Sequence, residues 1–184
     1  MKILIAEDDK VISRAYKIVL EERGHDVTIT DDGEMCIKIY EEMQSSAPKK
    51  QNKVITKNKN PESIPKSHTP IDVVVLDYKM PKVDGMQVAK RILKIQPNQR
   101  IIFASAHVEE TLKDSVKQLR KVIELLQKPF EPDVLVDTIE DQEAYDGLKS
   151  LITNIRDFDI QNPSHGQMET LFKGLRKIQK GRTF

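Results

Sequence analysis

The sequence predicts an α/β fold in which a doubly wound parallel sheet of five strands carries helices on both faces. Short apolar or β-branched segments alternate with helical ones through residues 1–44 and 71–142, a pattern typical of parallel sheets. Residues 71–76 (IDVVVL) form an almost unbroken apolar run, as expected of a strand covered on both faces. Charged or hydroxyl residues follow four of the strands, at the edge where such sheets bind ligands.

Each predicted strand and helix has a local signal. Apolar and β-branched content defines the strands, which are predicted at Lys2–Ala6, Asp26–Thr30, Ile71–Leu76, Arg100–Ala104 and Val122–Gln127. Val11, Ala15, Ile18 and Val19 stand at helical spacing and predict the first helix, which Gly24 should stop. Later helices are predicted at Gly33–Met43, Gly85–Ile95, Glu109–Leu119 and from Pro132 onwards.

Composition places the chain among globular proteins. Apolar residues make up 38% and charged residues 32%, with a net charge of +1. The single cysteine, Cys36, excludes an internal disulfide and fits a reducing compartment. The apolar start, Met1–Ala6, is too short for a signal peptide or a transmembrane helix. We therefore expect a cytoplasmic protein without membrane association.

Residues 44–70 interrupt the alternation of strands and helices. They contain four prolines and no aromatic residue, and residues 45–70 hold six lysines against one glutamate. Such a composition cannot bury enough apolar surface to order itself. We expect a long solvated or disordered insertion. A basic patch that binds nucleic acid is the alternative interpretation.

Residues 146–184 are predicted to be a helical extension that follows a domain of residues 1–145. Seven lysines and arginines stand here against four acidic residues. Two apolar stripes share helical spacing and are separated by a turn at Asn162-Pro163; they are Leu148, Leu151, Ile152, Ile155, Phe158 and Met168, Leu171, Phe172, Leu175, Ile178. We expect these helices to pack on the domain, on each other or in a homodimer. Because each shows only one amphipathic face, we expect no DNA binding.

The polar residues that follow the strands predict a phosphoryl-transfer site. Glu7 and Asp8 follow the first strand, Asp77 the third, Ser105 the fourth and Lys128 the fifth; we call these five residues the carboxyl rim. Grouped carboxylates suit Mg²⁺, which prefers oxygen ligands. A lysine and a hydroxyl can bind phosphate oxygens, and a carboxylate can be the nucleophile. Taken singly, each residue could equally be a helix cap or a surface charge.

Four segments in order resemble the receiver domain of two-component response regulators. They are residues 3–9 (ILIAEDD), 73–85 (VVVLDYKMPKVDG), 101–106 (IIFASA) and 127–130 (QKPF). The resemblance covers residues 1–44 and 71 to about 142, and the D-x-x-M-P-x-x-D-G pattern is its most specific part. It implies the strand order 2-1-3-4-5. It also implies a phosphoacceptor that catalyses only its own phosphorylation and dephosphorylation, with a sensor histidine kinase and a downstream protein as partners.

The resemblance implies a role for each residue of the metal site. Asp77 would be the phosphoacceptor and a ligand of Mg²⁺. Asp8 would bind the ion directly and Glu7 through a water. The backbone carbonyl of Lys79 would complete the protein's ligands.

The resemblance also implies which residues bind the phosphoryl group and control its lifetime. Ser105 would supply the switch hydroxyl and Lys128 the phosphate-binding ammonium. Pro129 would follow a cis peptide bond that aims Lys128 inward. The side chains of Lys79 and His107 would flank the path of the attacking water and tune how long the phosphoryl group lasts.

Three features depart from the family pattern. Leu125 stands where family members carry an aromatic residue, which puts the usual aromatic switch in question. Arg120-Lys121-Val122 replaces a Gly-Ala pair before the fifth strand, and the 44–70 insertion is unusual.

Three other functions are alternatives to the receiver interpretation. A hydrolase of the haloacid dehalogenase type would need an acid where Lys79 stands. A DNA-binding regulator would use the basic insertion and tail. A degenerate pseudo-receiver scaffold would not need Glu7, Asp8, Asp77, Ser105 and Lys128 together.

Overall fold

The computed structural model of the protein describes residues 1–46, 70–119, 123–147 and 164–178. Its centre is a five-stranded parallel sheet in the order β2-β1-β3-β4-β5, which confirms the predicted fold. The strands are β1 Lys2–Ala6, β2 Asp26–Thr30, β3 Val73–Asp77, β4 Arg100–Ser105 and β5 Glu124–Gln127. The predicted fifth strand was too long, because β5 begins at Glu124, and the fourth includes Ser105.

Helices cover both faces of the sheet. They are α1 Lys10–Glu22, α2 Gly33–Ser46, α3 Gly85–Ile95, α4 Val108–Asp114, α5 Pro132–Glu140 and α6 His165–Ile178, and residues 142–147 are also helical. The side chains of α1 and α5 share one apolar core with the sheet, and those of α2, α3 and α4 share a second core on the other face. Asp9 caps α1 by accepting from the backbone N–H groups of Val11 and Ile12, which satisfies donors that a helix start leaves free.

The apolar side of α1 agrees only in part with the predicted one: Val19 packs against the core, but two of the predicted residues do not. Val11 is 79% exposed and Ile18 is 57% exposed, so neither belongs to the core. The helix instead buries Tyr16 and Leu20, and Tyr16 stacks on Phe130 with ring centroids 5.5 Å apart. The helix contains apolar residues on two sides. Aromatic stacking and packing against α5 select the side that faces the sheet.

The fourth helix also differs from its prediction of Glu109–Leu119. It begins at Val108 and ends at Asp114, and the chain continues as a π-helical turn over Ser115–Leu119. The Ser115 hydroxyl donates to the Leu112 carbonyl at 2.9 Å. A serine that bonds back to the preceding turn competes with regular helix geometry.

A buried ion pair lies at the amino edge of the sheet, opposite the carboxyl rim. The Arg100 guanidinium pairs with Glu124 at 2.8 Å and donates to the carbonyls of Thr138 and Ile139. It also lies over the Tyr145 ring, 4.4 Å from the centroid. Arg100 thus joins β4 and β5 to the end of α5. Because a helix between parallel strands returns the chain to the amino edge, α2 ends and β3 begins at this edge as well.

Of the predicted C-terminal extension, the structure describes α6. Met168 is only 4% exposed and belongs to the core cluster that contains Val108, Leu112 and Val116. The described part of the extension therefore packs on the domain through α4 and the turn that follows it. The first apolar stripe, the Asn162-Pro163 turn and residues 47–69 of the insertion lie outside the described residues. The division into residues 1–145 and 146–184 stays a prediction.

Candidate functional site

Strand register brings the residues of the carboxyl rim together. Ala6 pairs with Leu76, so Glu7 and Asp77 are the next residues along neighbouring strands. Asp77 pairs with Ala104, which places Ser105 beside the acceptor strand. Ser105 pairs with Gln127, and Lys128 follows.

The three acidic residues of the rim form one cluster. Carboxylate oxygens of Glu7, Asp8 and Asp77 all lie within 4.8 Å of one another. Glu7 is buried, Asp77 half-buried and Asp8 exposed. A set of oxygen donors that includes two carboxylates open to solvent fits Mg²⁺, which keeps several waters in its coordination shell.

Lys128 forms ion pairs with two of these carboxylates. Its ammonium lies 2.6 Å from Glu7 Oε2 and 3.1 Å from Asp77 Oδ2. The Lys128–Pro129 peptide bond is cis, as the family resemblance implies. The Lys128 backbone N–H donates to the Ser105 carbonyl at 2.9 Å. The lysine therefore contacts both the acidic cluster and the end of β4.

Burial and charge perturb the protonation of this pair. Burial raises the pKa of Glu7, and the hydrogen bond and charge of Lys128 only partly oppose it. Burial lowers the pKa of Lys128, but the hydrogen bond and charge of Glu7 and the charge of Asp77 outweigh it, so the pKa lies above its ordinary value. Lys128 therefore stays an ammonium and supplies fixed positive charge next to Asp77.

The loop after Asp77 is held by close backbone packing. A Cβ on Gly85 would lie 2.1 Å from the Asp77 carbonyl oxygen, so only glycine fits there. Asp84 caps α3 by accepting from the Gln87 N–H at 2.8 Å. Lys82 adopts a positive φ of 64°, and its ammonium bonds Asp32 Oδ2 at 2.6 Å. These contacts fix the acceptor loop against the starts of α2 and α3.

The two residues predicted to flank the water path lie at the solvent-facing side of the rim. Lys79 is 61% exposed and its ammonium is 3.8 Å from Glu110. His107 is exposed at the start of α4. Their tuning roles and the Lys79 carbonyl as a metal ligand stay predictions.

Sequence reasoning missed three residues that surround the site. Thr111 is fully buried and lies 3.0 Å from Ser105 Oγ. Tyr78 follows the acceptor Asp77 in sequence, and its hydroxyl donates to Asp114 at 2.5 Å. The position of Tyr78 beside Asp77 was a visible signal. Thr111 and Asp114 gave none, since their roles depend on how α4 is seated.

Leu125 occupies the place of the family's aromatic residue. Its side chain is completely buried on β5, in the core shared with Phe103 and Leu112. It has no polar group to report the state of the rim.

A groove of about 800 Å³ lies between α4 and α6 and is also lined by Ala106 and Gln127, which are next in sequence to Ser105 and Lys128 of the rim. Its walls carry charges of both signs, from Glu110, Lys113 and Asp114 on one side and Glu169 and Lys173 on the other, and the side chains of His107 and His165 also line it. Met168 forms part of its lining.

The doubly wound sheet with an acidic cluster, a lysine and a hydroxyl at one edge defines the receiver class of phosphoacceptor domains. The family model described as the response regulator receiver domain matches residues 52–140. The response regulator receiver protein CpdR of Brucella abortus is 28% identical over 139 residues, which are 76% of this chain and 93% of CpdR. A response regulator receiver domain from Clostridium thermocellum has a TM-score of 0.55 and 25% identity, covering 75% of this chain and 90% of that one.

Histidine kinase 1 of Arabidopsis thaliana is 30% identical over 151 residues, which are 76% of this chain. The chain spans 12% of the length of that kinase, and 7% and 5% of two further histidine kinases that it matches. Residues 52–140 thus match the response regulator receiver domain of two-component systems, and the sequence and structural neighbours are receiver domains of the same kind, which implies a phosphoacceptor role. Among the described residues, no helix is both long enough and apolar enough to cross a bilayer.

Proposed function

We propose that the protein is a phosphorylation switch in which Asp77 accepts a phosphoryl group from the phosphohistidine of a sensor kinase. One observation carries the proposal: Asp77 ends a buried strand within 4.8 Å of the Glu7 and Asp8 carboxylates and 3.1 Å from the Lys128 ammonium. The proposed signal then passes to a downstream protein. The proposed organisation is a receiver of residues 1–145 with an insertion at 44–70 and an extension at 146–184, and the proposed compartment is the cytoplasm.

The transfer exchanges a P–N bond for a P–O bond. A carboxylate oxygen of Asp77 attacks phosphorus, and the electron pair of the broken P–N bond returns to the imidazole nitrogen, which takes up a proton. Hydrolysis restores the unphosphorylated protein. Water attacks phosphorus, the acyl P–O bond breaks, Asp77 regains its carboxylate, and inorganic phosphate leaves with the protons of the water. Positioning and charge neutralisation supply most of the rate enhancement in such reactions.

Each residue of the rim has a separate task. Asp8, Asp77 and Glu7 would hold Mg²⁺, which supplies positive charge to the phosphoryl oxygens when bound. Lys128 offers its ammonium to another phosphoryl oxygen, and this requires it to leave Asp77 Oδ2. Ser105 donates its hydroxyl to a third. Because Asp77 is half-buried, the reacting oxygens are partly shielded from water.

Lys79 and His107 are proposed to set the lifetime of the acyl phosphate. Lys79 forms an exposed ion pair with Glu110 of α4, and His107 is the residue immediately before α4. A long side chain at either position occupies space through which water must approach phosphorus.

Val11 and Ile18 are proposed to contact the kinase, and we call them the α1 stripe. They are seven residues apart and therefore lie on one side of the helix. Both are exposed, and the Val11 backbone N–H donates to Asp9, the residue that follows Asp8 of the acidic cluster. Val11→Asp should slow transfer from the kinase but leave labelling by a small phosphodonor unchanged. Equal slowing of both reactions would rule out a kinase contact.

The decisive experiment labels the acceptor. With Mg²⁺ and a small phosphodonor, the wild-type protein should gain one acid-labile phosphoryl group by intact mass spectrometry, and Asp77→Asn should gain none. Asp84→Asn is the matched control, because Asp84 lies in the same loop and asparagine can keep its capping bond. Labelling of Asp77→Asn at the wild-type rate would refute the proposal.

A further inference from the structure

Three polar groups at the start of α4 form a closed arrangement around the Ser105 hydroxyl. The His107 backbone N–H donates to Ser105 Oγ at 2.9 Å. Thr111 Oγ lies 3.0 Å from Ser105 Oγ and 2.8 Å from the His107 carbonyl oxygen. Ser105 and Thr111 are both buried, so water does not compete for these groups.

The protons of this arrangement can be assigned by counting donors. Thr111 Oγ lies closer to the His107 carbonyl, which also accepts from the Thr111 backbone N–H, than to Ser105 Oγ. Because a carbonyl can only accept, we assign the Thr111 hydroxyl proton to it. Thr111 Oγ is then free to accept, and the Ser105 hydroxyl proton is the one available to it. Among the contacts of the described residues, Thr111 Oγ is the one acceptor within reach of that proton. The result is a ring of three hydrogen bonds in which every donor and acceptor is satisfied.

We propose that Thr111 is a positioning residue of the switch, which holds the Ser105 hydroxyl turned towards α4 and away from Asp77 in the resting protein. This inference rests on the proposed function, in which Ser105 donates to a phosphoryl oxygen on Asp77. Ser105 has one hydroxyl proton, so it must break its bond to Thr111 before it can make the new one. Thr111 therefore opposes activation by the strength of one buried hydrogen bond.

The position of Thr111 also links Ser105 to the helical face. Thr111 lies on α4 between Val108 and Leu112, which pack in the same core as Met168 of α6. When Ser105 turns to the phosphoryl group, the ring that anchors the first turn of α4 loses two of its three bonds. The Thr111 bond to the His107 carbonyl remains. The change at Ser105 thus reaches the start of the helix on which α6 is seated.

The affinity for beryllium fluoride, which mimics the phosphoryl group, tests the inference in the presence of Mg²⁺. Thr111→Val keeps the shape of the side chain but removes the acceptor, so beryllium fluoride should bind about twofold to tenfold more tightly than to wild type. Thr111→Ser keeps the hydroxyl and should bind like wild type. In a Ser105→Ala background, Thr111→Val should change nothing, because no Ser105 proton remains to be released.

A second measurement reads the resting protein without any ligand. The His107 amide precedes the first intrahelical bonds of α4, so its protection from hydrogen exchange depends on Ser105 Oγ. Thr111→Val should let Ser105 turn away and make this amide exchange faster, whereas Thr111→Ser should not. Thr111→Ala serves in place of Thr111→Val if valine prevents folding.

The outcomes separate the inference from the proposed function. Wild-type protein that takes up neither beryllium fluoride nor phosphate would refute the proposed function and the switch role with it. Wild-type protein that binds beryllium fluoride, with Thr111→Val binding equally or more weakly, would refute the inference alone. Tightening of the same size in the Ser105→Ala background would also refute it, since Thr111 would then act through packing. An unchanged exchange rate of the His107 amide in Thr111→Val would show that the ring does not hold Ser105.

Discussion

Replacing Lys128 by methionine tests whether one ammonium holds the resting site together. Lys128 contacts Glu7 at 2.6 Å and Asp77 at 3.1 Å, and its side chain is only 16% exposed. Methionine keeps most of the apolar stem and removes the charge. Two carboxylates, one of them 2% exposed, then lose their partner while Asp8 remains beside them.

The size of the effect follows from burial. Removing one partner of a fully buried ion pair costs about 3–5 kcal/mol. Because Lys128 and Asp77 retain some contact with solvent, we expect about 2–3 kcal/mol in metal-free buffer, or roughly 5–10 °C in Tm for a chain of this length. Mg²⁺ at a hundred times its dissociation constant adds about 2.7 kcal/mol to any protein that binds it only when folded. Since the lysine repels a cation, Mg²⁺ should stabilise the variant more than the wild type.

Thermal unfolding with a chelator and with Mg²⁺ checks both parts. Lys79→Met is the matched control, because Lys79 lies near the same opening but is 61% exposed, and its Tm should stay near wild type. An unchanged Tm of Lys128→Met in chelator would mean that the lysine does not neutralise the buried carboxylates. Smaller stabilisation by Mg²⁺ in Lys128→Met than in wild type would show that ammonium and cation do not compete.

Three further predictions address the loop, the core and α6. Gly85→Ala should slow labelling by about tenfold to a hundredfold, because its Cβ would lie 2.1 Å from the Asp77 carbonyl and displace it. Gly166→Ala is the control and should label normally, because nothing lies within 4 Å of a Cβ there. Normal labelling of Gly85→Ala would contradict the reasoning. Cys36 is completely buried and burial raises the pKa of its thiol to about 12, so alkylation should stay slow as pH rises from 7 to 9 until the protein unfolds; a rate that follows an ordinary thiol would refute this. Met168→Asp should release α6 and speed amide exchange in α4, whereas Glu169→Gln, at an exposed position, should not. Unchanged exchange in Met168→Asp would mean that the contact between Met168 and the core contributes little.

The fold was predictable because its signals are local and repeated. The apolar run of β3 and the alternation of elements define a parallel sheet, and register alone then brings Glu7, Asp77, Ser105 and Lys128 to one edge. The strand order was inferred from the family resemblance. Nothing in the spacing of apolar residues distinguishes 2-1-3-4-5 from other parallel orders.

The parts that could not be predicted depend on how a helix is rotated on the sheet. In α1, the pattern through Val11 and Ile18 competes with one through Tyr16 and Leu20, and the stacking of Tyr16 on Phe130 and the packing against α5 decide between them. The contact between Thr111 and Ser105 arises because α4 turns one side chain back onto the end of β4. A threonine six residues after a serine carries no signal of its own.

The end of α2 and the start of β3, which flank the insertion, lie at the edge of the sheet opposite Asp77. The described chain stops at Ser46 and resumes at Pro70, and Asp72 is bonded to Lys2 at the first residues of β1. A label attached between these two points would be anchored at the edge of the sheet opposite the acidic cluster. An affinity label fused there would therefore tether the protein by the edge that carries no residue of the carboxyl rim.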